Sequence, residues 1–104
     1  MKGEIKMINA KEAYDLSAPN LDTYRAFIDK RIREAASNGV LKIEIREEPY
    51  NMWLYGRADE LAKKDACAAK VVRELRGLGY SLRQYYDEGY IRFVDAALVI
   101  NWEK

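Results

Sequence analysis

Apolar residues recur along this chain in two rhythms, one helical and one extended, and glycine stands at each change between them. Leu21, Tyr24, Phe27, Ile28, Ile32, Ala35 and Ala36 repeat at steps of three and four, which predicts an amphipathic helix over 21–37. Asn38-Gly39 ends that pattern, because glycine adopts the left-handed conformation without the clash a Cβ would cause. The same dipeptide suits a type I′ hairpin turn, but the period before it is helical, so it reads as a helix terminus. Leu41, Ile43 and Ile45 then alternate with Lys42, Glu44 and Arg46, predicting a strand over 40–46 with one wet face.

The second cycle repeats the first. Leu61, Ala62, Ala68, Val71, Val72, Leu75 and Leu78 give a helical stripe over 58–78, and Gly79 supplies the stop before a strand over 81–86. Lys64-Asp65 interrupts the stripe, and Asp65 could cap a second helix from Ala66, so one helix and two both stand. Asp87-Glu88-Gly89 predicts a turn into a hairpin partner over 90–94. Asp95-Ala96-Ala97 reads as a bend or bulge before a last strand over 98–102, in which Leu98, Ile100 and Trp102 share a face.

Upstream, Asn9 and Glu12 have capping-box spacing, predicting a short helix over 10–16. Ser17-Ala18-Pro19-Asn20 breaks it, and Asn20 caps the longer helix. Residues 1–8 read as a flexible leader or an added edge strand. The fold class is therefore α+β: a mixed sheet of three to four strands with helices packed on one face, in the order α-α-β-α-β-β(-β). The first two strands are expected to be parallel or near neighbours because βαβ crossovers are right-handed. The whole chain of 104 residues reads as a single domain.

Composition then removes function classes. There is no histidine, so Ser-His and Cys-His pairs and HExxH helices are excluded, and no side chain ordinarily titrates near neutrality. Cys67 is the only cysteine, which excludes an internal disulfide and a multi-cysteine zinc site, fits a reducing compartment, and reads as a small packing residue. Eighteen basic and seventeen acidic residues leave a formal charge of +1, which gives no general field for nucleic acid. The apolar runs fall short of the ~20 residues that cross a bilayer, and no signal-peptide pattern is present, so a cytoplasmic protein without a membrane partner is expected. Glu47-Glu48 and Asp87-Glu88 are carboxylate pairs, but neighbours on a strand face opposite ways and turn carboxylates are solvated, so no catalytic residue, metal site or cofactor is assigned.

Two groups remain as candidate sites. Between strand and helix, Tyr50, Met52, Trp53, Tyr55 and Arg57 lie in a connection longer than the roughly 4–6 residues usual in compact domains. Such residues offer a partner-binding surface, and equally they could cover an open end of the sheet. The second group is Lys70, Arg73, Arg76, Arg83 and Arg92, which beside Tyr85, Tyr86 and Tyr90 could hold phosphate and stack a base. The charges along the predicted helices form pairs at helical spacing, such as Asp22 with Arg25, Asp29 with Arg33 and Lys70 with Glu74, and read as solvated faces. Trp102, the tyrosines and an exposed sheet edge predict a homo-oligomer.

Taken together, Asn9-Ala10-Lys11-Glu12-Ala13, the helix ending at Ala35-Ala36-Ser37-Asn38-Gly39, the amphipathic strand, Leu75-Arg76-Gly77-Leu78-Gly79-Tyr80 and the closing Ile100-Asn101-Trp102 resemble a loose group of short bacteriophage proteins. The likeness implies a fold and a viral source, with no catalytic residues to transfer. It leads to the expectation of an accessory protein, acting in the cytoplasm of an infected bacterium, that occupies a host protein or sequesters a small nucleotide signal. A virion structural or assembly protein and a nucleic-acid-binding regulator are the alternatives.

Overall fold

In a computed structural model, which describes residues 7–89 and 94–103, three helices pack against a three-stranded antiparallel sheet. The elements are α1 (Ala10–Ser37), β1 (Lys42–Ile45), a 3-10 turn (Tyr50–Met52), α2 (Ala58–Lys64), α3 (Ala66–Gly77), β2 (Ser81–Asp87) and β3 (Asp95–Asn101). The architecture is the α+β one that the periodicity predicts. Residues 1–6 of the expected leader over 1–8, and residues 90–93 of the expected strand over 90–94, lie outside the described residues.

Local signals explain most element ends. The Asn9 Oδ1 atom accepts the Glu12 N–H at 2.8 Å while a Glu12 carboxylate oxygen accepts the Asn9 N–H at 3.2 Å, the reciprocal capping box. Gly39 and Gly79 both adopt positive φ, +79° and +103°. Past each helix end the chain folds back on itself: Val40 N–H donates to Ala35 C=O and Tyr80 N–H to Leu75 C=O, each at about 3.0–3.1 Å. This backbone closure satisfies carbonyls that would otherwise lack donors. The choice between one helix and two after residue 58 falls to two, because Asp65 takes extended backbone angles and its Oδ1 accepts the Ala68 N–H at 3.1 Å.

Pro19 does not break the first helix. The helix runs for 28 residues through it, where two helices were expected. Proline removes one intrahelical donor and crowds the carbonyl four residues back, a cost that an exposed helix can offset with solvent. The Thr23 hydroxyl donates to the Pro19 carbonyl at 2.8 Å on the far side. Described side chains before Leu21 are exposed, and Leu21, Ile28 and Ile32 begin the buried stripe. The first part of α1 is thus an arm with no buried side chain among the described residues, and the molecule with its arm measures 59 × 36 × 21 Å.

In the sheet the order is β1-β3-β2, with both pairings antiparallel. The two strands linked through the helical crossover run in the same direction, as expected, but β3 lies between them. Asp95, Ala96 and Ala97 continue β3 in unbroken register with β2 rather than forming a bend or bulge. On the inward face Ile43, Ile45, Leu82, Leu98 and Ile100 meet Ile28, Ile32, Val71, Val72 and Leu75 in one core. On the outward face Ala97 and Val99 are also buried, because they belong to the middle strand and their cross-strand neighbours Glu44, Arg83 and Tyr85 carry long side chains. Leu78, assigned to the helix's buried stripe by its spacing, is instead exposed at the helix end.

Candidate arginine-rimmed cleft

The aromatic connection divides between core and surface. Tyr50 and Trp53 are buried, at 5% and 4% exposure, so neither offers a free surface to a macromolecular partner. Tyr50 stacks on Phe27 with ring centres 4.3 Å apart, and Trp53 meets the edge of Tyr24 at 5.0 Å. Met52 and Tyr55 are exposed, and Tyr55 packs against Tyr86 at 4.5 Å. Of the five candidates, only Trp53 and Arg57 line a cleft that also takes in members of the basic set.

That cleft, of about 450 Å³, lies between the end of the aromatic connection, α2, α3 and the edge strand β2. Trp53, Leu61, Ala69, Val72 and Leu82 give it an apolar floor and walls, Arg57, Arg73 and Arg76 rim it, and Arg83 borders it on the edge strand, from the sheet face opposite Leu82 and Gln84. Two candidate groups that are separate in sequence therefore meet: Arg57 from the aromatic connection, and Arg73, Arg76 and Arg83 from the basic set. The remaining members do not join them. The Lys70 ammonium lies 5.6 Å from the Tyr14 ring centre, on the arm of α1, and Arg92 lies outside the described residues.

Helix geometry explains the convergence of Arg73 and Arg76. Residues three apart share a helix face, whereas Glu74 is rotated about 100° from Arg73 and points elsewhere. Glu74 receives Arg25 of α1 through two hydrogen bonds of 2.9 and 2.6 Å. Hydrogen bonding to that guanidinium holds the Glu74 carboxyl below the usual carboxylate range. The carboxylate nearest Arg73 in sequence is thereby committed to the α1–α3 contact. Arg73, Arg76 and Arg83 form no ion pair among the described residues, and Arg57 has only Asp59, at 4.0 Å between exposed groups. No carboxylate lines the cleft among the described residues.

Gln84 builds one wall and was not singled out from the sequence. Its Oε1 accepts the Leu54 N–H at 3.2 Å, and its Nε2 donates to the carbonyl oxygens of Asn51 at 2.7 Å and Tyr85 at 2.8 Å. These bonds fasten the aromatic connection to β2 and leave the amide no spare donor. One signal was available: Gln84 has the same strand parity as inward-facing Leu82, and a polar residue there needs a buried partner. The other wall is set by α2, where Glu60 accepts the Arg57 backbone N–H at 3.0 Å.

A second, smaller groove of about 200 Å³ lies between α1 and α3, bordered by the Arg25–Glu74 pair. Among the described residues no cluster of three or more His, Cys, Asp or Glu side chains could hold a metal ion, and no helix is long and apolar enough to cross a membrane. Compared with known proteins, the chain matches no family model, no curated protein and no solved structure.

Proposed function

We propose that this protein is a binding module that sequesters a small phosphate-bearing molecule in the arginine-rimmed cleft without transforming it. The observation that carries this reading is the set of three arginines, Arg57, Arg73 and Arg76, that rim a cleft bordered by a fourth, Arg83, and lined by no carboxylate among the described residues. Guanidinium groups form paired, charge-assisted hydrogen bonds with phosphate oxygens, and they keep their charge at any cellular pH. Apolar walls at the same place lower the local dielectric, which strengthens those bonds.

Binding without turnover is favoured by the chemistry of the lining. Arginine is a poor proton shuttle, the Gln84 amide is fully engaged, and the other lining side chains are apolar. The likeness to short bacteriophage proteins fits a sequestering role, which we place in the cytoplasm of an infected bacterium. Isothermal titration with sodium tripolyphosphate at low ionic strength tests the reading. Saturable binding that weakens as salt is added is expected, and the absence of any binding would remove it.

A further inference from the structure

The cleft joins two surfaces that no simple anion and no simple hydrocarbon would satisfy together. A bare polyphosphate would engage the arginines and leave the half-buried Leu54 and Leu61 uncovered. An apolar ligand would cover those side chains and make no use of the exposed guanidinium groups of Arg73 and Arg76. Resting on the proposed phosphate-binding reading, we infer that the occupant is a free nucleotide with two or more phosphate groups, its base against the apolar wall and its phosphates among the arginines.

Charge, size and placement each narrow the class. A phosphate monoester carries about −1.5 to −2 at neutral pH, so one such group leaves at least one of the three rim guanidinium charges of Arg57, Arg73 and Arg76 uncompensated, while a chain of two or three phosphates compensates them all. A volume of about 450 Å³ falls in the range of small-molecule sites. Flat aromatic bases gain from apolar contact irrespective of their identity, and Leu54 and Leu61 are half-buried residues available to supply it. A nucleic-acid strand is disfavoured by what lies away from the cleft. Arg25, Arg33 and Arg46 are each bound to carboxylates, so no run of free arginines continues from the cleft to track a backbone.

The test compares ligands on the same protein without divalent cations, following heat of binding and the fluorescence of Trp53 in a Trp102→Phe background. Nucleoside triphosphates should bind roughly ten- to hundredfold more tightly than tripolyphosphate. Leu61→Ala should shrink that advantage while leaving tripolyphosphate affinity within about twofold, and Arg76→Ala should weaken both ligands. Equal affinity for tripolyphosphate and every nucleoside triphosphate would overturn the nucleotide inference and leave the phosphate-binding reading standing. Binding of neither would overturn both. Oligothymidylates that bind more tightly with each added residue, surpassing thymidine triphosphate, would overturn it in favour of a single strand.

Discussion

Two sets of arginines divide this molecule. Arg25, Arg31, Arg33 and Arg46 each approach a carboxylate within 2.6–2.9 Å; Arg25 joins helix to helix, Arg31 helix to loop, Arg46 the end of β1 to β3, and Arg33 pairs within α1. Arg73, Arg76 and Arg83 have no such partner among the described residues, and with Arg57 they border an apolar cleft. Identical chemistry thus does opposite things. The first set has its charge neutralised locally and adds modestly to stability, whereas in the second Arg57, Arg73 and Arg76 contribute nothing evident to the fold and are available to an external anion, and Arg83 also covers Val99. Net charge hides the distinction, because seventeen acidic residues, paired or not, offset eighteen basic ones to leave +1.

The strongest way to break the comparison is to remove the second set. Arg73→Ala combined with Arg76→Ala should lower affinity for tripolyphosphate by about 10²- to 10⁴-fold, at about 1.5–3 kcal/mol per charge-assisted contact, with the melting temperature unchanged. Titration calorimetry and thermal denaturation of the same sample check both halves. Loss of stability in that variant would mean that these arginines belong with the structural set.

Next in size is Trp53→Ala, which empties the buried contact with Tyr24 and Tyr50 and should destabilise by about 3–5 kcal/mol. For a domain of this length that lowers Tm by more than about 10 °C. Near-normal stability would return Trp53 to the list of surface contacts.

Tyr24→Phe is expected to cost about 1–2 kcal/mol, since the Tyr24 hydroxyl donates to Asp65 Oδ2 at 2.6 Å while Asp65 also caps α3. The Tyr24 hydroxyl is pushed up to about 12, first by this hydrogen bond and then by burial and the Asp65 charge. A free tyrosine ionises near 10, so the contribution is whole below about pH 10 and is lost as pH rises towards 12. Urea denaturation across that window should fall more steeply for the native chain than for Tyr24→Phe.

The smallest effect belongs to the paired set. Arg25→Ala should lower stability only slightly, because both partners are more than one-third exposed and solvent screens the pair, and it should leave tripolyphosphate binding unaltered. The Glu74 carboxyl is held below its ordinary range by Arg25, so this contribution is present above the unfolded carboxyl's pKa and lost as acid protonates the folded group. Denaturation curves at neutral pH and at about pH 3 should therefore differ less for Arg25→Ala than for the native protein.

Much of the fold was legible because its causes are local. The capping box of Asn9 and Glu12, the glycine stops at Gly39 and Gly79, and the Asp65 cap each act within a few residues. Pro19 shows where local reasoning misleads: an exposed helix accommodated a residue that pattern alone treats as a break. The candidate site was legible only in pieces. Arg57 and the set Arg73, Arg76 and Arg83 were recognised as separate groups, and nothing in their spacing joined them. Tyr50 and Trp53 looked like contact residues because aromatic side chains serve cores and interfaces equally well.

The sequence by itself determined most helix and strand ends, with the passage of α1 through Pro19 and the start of β3 at Asp95 as exceptions, most of the apolar faces, and that no imidazole is available for chemistry. Those properties follow from backbone sterics and side-chain periodicity over one or two turns. Only the tertiary structure decided that β3 lies between β1 and β2, that Gln84 ties the aromatic connection to β2, and that arginines from three elements border one cleft. Each depends on contacts between residues far apart in the chain, whose geometry is set by how whole elements pack.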